Sequence, residues 1–92
     1  MPRPHRPAPN AGDTEGWPHI ERDDPIQETA RRLVLNLRQQ MGEASIRSVA
    51  MNAGMDHNVL RLVLAGDSWP DLVTIAKLER WFGVTLWPGI VE

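Results

Sequence analysis

The residue types that most often perform catalysis or bind metal ions are few in this sequence and far apart. The three histidines, His5, His19 and His57, have no carboxylate at the spacing of a metal-binding motif. Cysteine is absent, which excludes thiol catalysis, disulfide bonds and cysteine-bound metal. Neither a glycine-rich phosphate loop nor a serine, histidine and aspartate arrangement is present. We therefore expect no enzyme activity, no metal and no other cofactor.

Length and composition predict one small folded domain. The chain has 92 residues, of which 41% are hydrophobic and 24% are charged. These fractions are ordinary for a globular protein, and single-core domains usually contain about 100–150 residues. No long apolar segment follows the arginines near the amino terminus, as a signal peptide or a membrane span would require. We expect a cytoplasmic protein with no membrane partner.

The charge is distributed unevenly along the chain. Residues 1–30 contain three basic and six acidic residues, residues 31–61 contain five and two, and residues 62–92 contain two and four, which together give the net charge of −2. The middle third is therefore locally basic. A positive face on a nearly neutral protein can still bind phosphate, although salt screens such an attraction within about 10 Å.

The first 23 residues are predicted to form a disordered, proline-rich arm. Five of the eight prolines lie within the first 18 residues, and the stretch has no apolar periodicity that would offset the entropy lost on ordering. Trp17 is the exception, and packing of its ring against the domain is the alternative. Deletion of residues 1–20 is accordingly expected to leave the fold intact.

Residues 24–92 have the pattern of a folded domain. Asp24 and Pro25 are typical of a helix N-cap and first position, and apolar residues then recur every three or four positions up to Gly42. The first helix is predicted over residues 25–41. Further along the chain, Trp81 and Trp87 are expected to complete the core or a dimer interface.

Three more helices are predicted, each between a capping side chain and a glycine. The caps are Ser45, Asp56 and Asp71, and the terminating glycines are Gly54, Gly66 and Gly83. A tight glycine turn joins the second helix to the third, which covers residues 57–65. No segment has the sustained alternation of a strand, although residues 84–87 could form a short edge strand. The predicted class is all-α, with four to five short helices.

Several positions within residues 26–87 agree with one known pattern. They are Ser45-x-x-x-Val49-Ala50-x-x-Ala53-Gly54-x-Asp56, then Leu60-x-x-Val63-x-x-Gly66, then Pro70-x-Leu72-x-Thr74-Ile75-Ala76-x-Leu78 and Phe82-Gly83-Val84. This pattern resembles the lambda-repressor-like (Cro-type, XRE) helix-turn-helix DNA-binding family. Residues 64–72 and Leu86-Trp87-Pro88 are also similar to small regulators of actinobacteria and their phages.

The resemblance implies a site on the third helix. Helix 57–65 would enter the major groove while the second helix crosses the DNA backbone. The positions that match base-reading residues are His57, Asn58, Val59 and Arg61. Those that match contacts to the DNA backbone are Ser45, Arg47, Ser68 and Trp69. Asparagine can bind adenine and arginine can bind guanine with two hydrogen bonds each, and valine can contact the thymine methyl group. Each of these residues could instead be an ordinary surface or capping residue.

The expected function is that of a sequence-specific, repressor-like transcriptional regulator that binds double-stranded DNA, of the kind found in phages and mobile elements. A homodimer is expected because one short helix reads too few bases to be selective alone. With no room for a ligand-binding domain, regulation would come from abundance or from a regulatory protein partner. In some relatives an amino-terminal arm reaches around the duplex, and Arg3 and Arg6 could enter a minor groove in this way.

Departures from the family pattern support an alternative. Leu62 and Leu64 occupy positions that are often polar, Ile46 replaces a common phosphate contact, and the loop after the third helix contains Asp67 and Asp71. The alternative is a protein-interaction module, such as an antitoxin, antirepressor or adaptor. It would use the apolar third helix and the amino-terminal arm to hold another protein.

Overall fold

The computed structural model describes residues 7–92, which form four α-helices. They are α1 (Pro25–Met41), α2 (Ile46–Ala53), α3 (His57–Ala65) and α4 (Leu72–Phe82). No strand occurs within residues 7–92, so the all-α prediction is confirmed. The edge strand predicted at residues 84–87 does not form, because the Leu86 and Trp87 backbone N–H groups donate to the Glu79 carboxylate on α4, at 2.7 and 3.1 Å.

The predicted helix boundaries are confirmed, and each helix begins at a side chain that accepts a backbone N–H. These N-caps are Asp24, Ser45, Asp56 and Asp71. Three of the helices end at a glycine in the left-handed conformation, namely Gly54, Gly66 and Gly83. Such caps satisfy helix-end groups that would otherwise have no intrahelical partner.

All four helices contribute to the core, in which Val49 and Ala50 of α2 are buried together with apolar side chains of α1, α3 and α4. The fully buried leucines come from α1, α3, α4 and the residues after α4, and they are Leu33, Leu37, Leu60, Leu78 and Leu86. Trp81 and Trp87 are each 50% exposed, so they do not complete the core of the single chain, and their place in a dimer interface stays a prediction. The aromatic residue of the core is Trp17, which is 8% exposed.

The prediction of a disordered arm is wrong for residues 7–23, which pack against the domain. Pro9, Asn10, Trp17 and Pro18 in this segment are buried. The segment has little apolar surface, but it donates hydrogen bonds to carbonyl groups at the carboxyl end of α3. These partners lie more than 40 positions away in the sequence, where local composition gives no sign of them. Residues 1–6, with the proposed minor-groove residues Arg3 and Arg6, lie outside the described residues.

A nearly buried ion cluster joins this segment to α1. The Glu28 carboxylate accepts hydrogen bonds from Arg31 Nε and Nη2 at 2.6 and 2.7 Å, from Arg32 Nε at 2.9 Å, and from the Arg22 backbone N–H at 2.9 Å. Arg31 Nη1 also donates to the Pro18 carbonyl at 3.1 Å. The hydrogen bonds from Arg31 lower the pKa of Glu28 from 4.5 to about 2, against the opposing effect of burial.

Candidate nucleic-acid interface

A short turn with defined hydrogen bonds connects α2 and α3. It consists of Gly54, Met55 and Asp56. Gly54 has φ 77° and ψ 43°, a left-handed conformation that residues with a Cβ rarely adopt. Its N–H points back to carbonyls of α2, and the Met55 N–H donates to the Ala50 carbonyl at 2.9 Å. From α4, Lys77 Nζ donates to the Gly54 carbonyl at 3.0 Å. The turn is therefore held from both α2 and α4.

The two faces of α3 differ in burial. Leu60, Val63 and Leu64 are buried and Leu62 is half-buried. The outward face has exposed residues Asn58, Val59 and Arg61, and Val59 is 42% exposed. Most of the apolar character of α3 is thus explained by packing inside this chain.

The polar side chains on the outer face are unpaired within the part of the chain that the structure describes. Asp56 caps the amino end of α3 by accepting the Asn58 backbone N–H at 2.7 Å. The side chains of Asn58 and Arg61 themselves have no hydrogen bond or ion pair with residues 7–92. Asn58 and Arg61 are three positions apart, so they lie on the same face of the helix. Their hydrogen-bonding groups therefore have no acceptor or donor among residues 7–92.

Arg47 on α2 and His57 on α3 border the same surface depression. This depression has a volume of about 340 Å³ and is lined by Arg47, Ala50, Met51, Met55, Asp56 and His57. Arg47 is exposed and His57 is half-buried. The structure therefore places Arg47, a predicted contact to the DNA backbone, beside the same depression as His57, a predicted base-reading residue.

Ser45 lies exposed at the amino end of α2, where its hydroxyl accepts the Ser48 N–H at 3.0 Å. The positive end of the helix dipole favours an anion at this position. The next residue, Ile46, packs against the core. This packing explains why an apolar residue stands at this position.

The loop after α3 is engaged within the chain. Trp69 Nε1 donates to the Pro7 carbonyl at 2.9 Å, so the indole N–H already has an acceptor within the chain, and the contact of Trp69 with the DNA backbone stays a prediction. Ser68 is half-buried. Asp67 accepts a hydrogen bond from Asn10 Nδ2 at 2.8 Å. This loop is tied to the amino-terminal segment.

Charge on this side of the molecule is mixed. Arg47 and Arg61 are exposed cations, and Asp56 is an exposed anion between them in the sequence. At the start of α4, the hydrogen bond from the Thr74 backbone N–H lowers the pKa of Asp71. These carboxylates oppose phosphate binding, so the electrostatic part of any affinity for nucleic acid should be modest.

Two residues outside the predicted site, Asn10 and Trp17, hold the carboxyl end of α3. The sequence predicts packing of Trp17 against the domain only as an alternative, and no local pattern singles out Asn10, because its partner Ala65 lies 55 positions away in the sequence. No helix of residues 7–92 is long and apolar enough to cross a membrane. No group of three acidic or histidine side chains in the same range could hold a metal ion.

Comparison of the sequence with models of protein families and with curated proteins gives no match to either.

Proposed function

We propose that the protein is a sequence-specific transcriptional regulator that binds double-stranded DNA, with α2, the turn and α3 acting as a helix-turn-helix of the lambda-repressor-like type. The observation that carries this proposal is the outward face of α3. There Asn58, Val59 and Arg61 are exposed, and the two polar side chains are unpaired within residues 7–92. Unpaired hydrogen-bonding groups on a well-anchored helix are what major-groove recognition requires.

Each residue has a role in this proposal. Asn58 binds an adenine edge, Arg61 binds a guanine edge and Val59 contacts a thymine methyl group. His57 and Arg47 lie where α2 and α3 meet and contact bases or phosphates at the start of the reading helix. The amino end of α2, at Ser45, faces a phosphate.

The proposed form on DNA is a homodimer in the cytoplasm on a partly palindromic site. The nine residues of α3 contact too few base pairs for a selective monomer. The two half-sites of such a site are expected roughly 34–36 Å apart, which is one turn of DNA.

The proposal predicts different effects for base-reading and phosphate-contacting residues. Arg61→Ala or Asn58→Ala should weaken binding to the preferred sequence by about 1–3 kcal/mol and relax base preference at one position. Arg47→Ala should weaken binding to preferred and random DNA alike, because a phosphate contact carries no sequence information. The measurement is selection from random duplexes, followed by titration of the selected and scrambled sequences.

Two controls sharpen this comparison. Arg61→Lys keeps the charge but loses the fork of donors that binds guanine, so it should lose base preference while keeping affinity for random DNA. Arg80→Ala removes an exposed arginine from α4 and should leave base preference unchanged. Equal losses on selected and scrambled DNA for Arg61→Ala, Asn58→Ala and Arg47→Ala would contradict the assignment.

A protein-interaction module is the second candidate, and one observation favours it. An apolar groove of about 390 Å³ lies between α1, α4 and the carboxyl-terminal residues, lined in part by Ile26, Leu33, Ile75, Trp87 and Ile90. Nearby on α4, Leu72 is 82% exposed and Val73 is 60% exposed. Exposed apolar surface of this kind is a common feature of protein interfaces.

Salt dependence distinguishes the two candidates. If the protein contacts about four to six phosphates, raising the salt concentration from 50 to 200 mM should reduce its DNA affinity by about 100- to 1,000-fold. The reason is that binding releases condensed counterions, and this release becomes less favourable as salt increases. An apolar protein interface should change little over the same range. A DNA affinity that does not respond to salt, or no DNA binding at 50 mM salt, would favour the interaction module.

A further inference from the structure

The carboxyl end of α3 has carbonyl groups that the helix itself cannot satisfy. The Gly66 and Asp67 N–H groups return to the Val63 and Leu62 carbonyls, at 3.1 and 3.0 Å. Beyond these, the Leu64, Ala65 and Gly66 carbonyls point away from the helix and need other donors, as the last carbonyls of any helix do.

Donors from the amino-terminal segment satisfy these three carbonyls. Trp17 Nε1 donates to the Leu64 carbonyl at 3.0 Å. Asn10 Nδ2 donates to the Ala65 carbonyl at 3.0 Å, and the Asn10 backbone N–H donates to the Gly66 carbonyl at 3.0 Å. Asn10 Nδ2 also reaches the Asp67 carboxylate at 2.8 Å. One short segment thus serves as the carboxyl-terminal cap of α3. The Leu64 carbonyl also accepts a longer hydrogen bond from Arg38 Nη2 at 3.3 Å.

Close packing supports these hydrogen bonds. A Cβ atom added to Gly66 would lie 2.5 Å from Cε2 of Trp17, so the indole ring lies directly against the Gly66 backbone. Gly66 also has a φ of 76°, which independently favours glycine. The helix cap and the indole contact therefore both require glycine at this position.

The segment is in turn anchored to α1. Gln27 Nε2 donates to the Ala8 carbonyl at 3.0 Å, and Arg31 Nη1 donates to the Pro18 carbonyl at 3.1 Å. The carboxyl end of α3 is thus connected to the longest helix of the domain through residues 8–18. A displacement of this segment would release that end of α3.

We propose that residues 8–18 form a clamp on α3, with Asn10 and Trp17 as positioning residues for base reading. They do not contact DNA. They fix the orientation of the helix that carries Asn58 and Arg61, because recognition geometry tolerates displacements of only about 0.5 Å. The consequence for DNA rests on the proposed function, whereas the clamp itself does not.

The test uses Asn10→Ala in the full chain, with Asn36→Ala as the matched control. Asn36 Nδ2 donates to the Leu86 carbonyl at 2.9 Å, so the control removes a bond of the same type that does not involve α3. Hydrogen exchange of the Gly66 and Asp67 amides should accelerate by about tenfold or more in Asn10→Ala, since about tenfold is expected for each hydrogen bond that no longer opposes local opening. The variant loses the Asn10 Nδ2 bonds to both the Ala65 carbonyl and the Asp67 carboxylate. In Asn36→Ala, the exchange rates of the Gly66 and Asp67 amides should change no more than the rates of the α1 amides change in the same variant. Trp17→Phe, which keeps a ring but loses the N–H, should behave like Asn10→Ala.

DNA binding is then measured at a temperature where all variants are folded. Asn10→Ala should reduce the ratio of selected-sequence to random-sequence affinity by about tenfold while Asn36→Ala leaves it unchanged. If exchange accelerates equally at all amides of the domain in Asn10→Ala and in Asn36→Ala, the clamp is overturned. Faster exchange confined to α3 with an unchanged affinity ratio would overturn the positioning role. If the unmodified protein shows no sequence preference, the proposed function fails, and the exchange result alone still decides the clamp.

Discussion

Replacing Trp17 with alanine is expected to lower the free energy of unfolding by about 3–5 kcal/mol, the usual range for removing a buried aromatic side chain. Trp17 is 8% exposed, lies against Gly66 and donates a buried hydrogen bond to the Leu64 carbonyl. Small domains have total stabilities of about 5–15 kcal/mol, so the variant should be close to unfolding. Thermal melting followed by circular dichroism should show a drop of well over 10 °C, since 1 kcal/mol shifts the midpoint by about 4–8 °C in a domain of this size.

The matched control is Trp81→Ala on α4. Trp81 is 50% exposed, so its removal should cost less than half as much as removal of Trp17. A chain lacking residues 1–23 should be destabilised at least as strongly as Trp17→Ala, because it also loses Asn10 and the contacts of Pro18 with Arg31. A truncated chain that melts like the full chain would contradict the packing described for residues 7–23.

The second large effect is expected at Glu28. Glu28→Ala should lower the free energy of unfolding by about 3 kcal/mol, because it leaves the nearly buried Arg31 guanidinium without its carboxylate partner. The side chain of Arg31 is 10% exposed and that of Glu28 is 6% exposed, so water can replace little of the lost interaction. Urea unfolding measures the change. Glu43→Ala, at an exposed position between α1 and α2, is the control and should have almost no effect.

Acid should remove the stabilising contribution of the Glu28 carboxylate to the folded protein. Because the pKa of Glu28 is lowered from 4.5 to about 2 in the folded protein, its stabilising effect is fully present above pH 4.5 and is lost as the pH falls towards 2. The shift corresponds to at most about 3 kcal/mol, and about 2 kcal/mol is expected after allowance for solvent screening. The unfolding free energy of Glu28→Ala should therefore fall less steeply between pH 5 and pH 2 than that of the unmodified protein. Parallel pH curves would exclude this role for the cluster.

Local signals in the sequence were sufficient for the helices. Asp24, Ser45, Asp56 and Asp71 stand at the helix starts because a short acceptor side chain satisfies free N–H groups within three residues of itself. The spacing of Leu33 and Leu37 or of Leu60 and Val63 likewise follows from the helical repeat alone. The exposure of Asn58 and Arg61 was predictable in the same way, because polar residues opposite an apolar stripe face outward.

The placement of residues 7–23 depended on contacts between distant parts of the chain. Proline-rich composition predicts disorder only when no partner offsets the cost of ordering. Here Asn10 and Trp17 find acceptors on α3, and Pro18 finds a donor in Arg31. A distant contact of the same kind engages Trp69, whose indole N–H donates to the Pro7 carbonyl.

The sequence by itself determined the four helices, their caps and the outward residues of α3, because these depend on neighbours within one or two helical turns. Only the tertiary structure decided that Trp17 belongs to the core, that Trp81 and Trp87 do not, and that the carboxyl end of α3 is held by the amino-terminal segment. Those outcomes depend on which unsatisfied carbonyl groups and buried charges meet in the folded chain, and hydrogen bonds between residues about 50 positions apart leave no periodic pattern in the sequence.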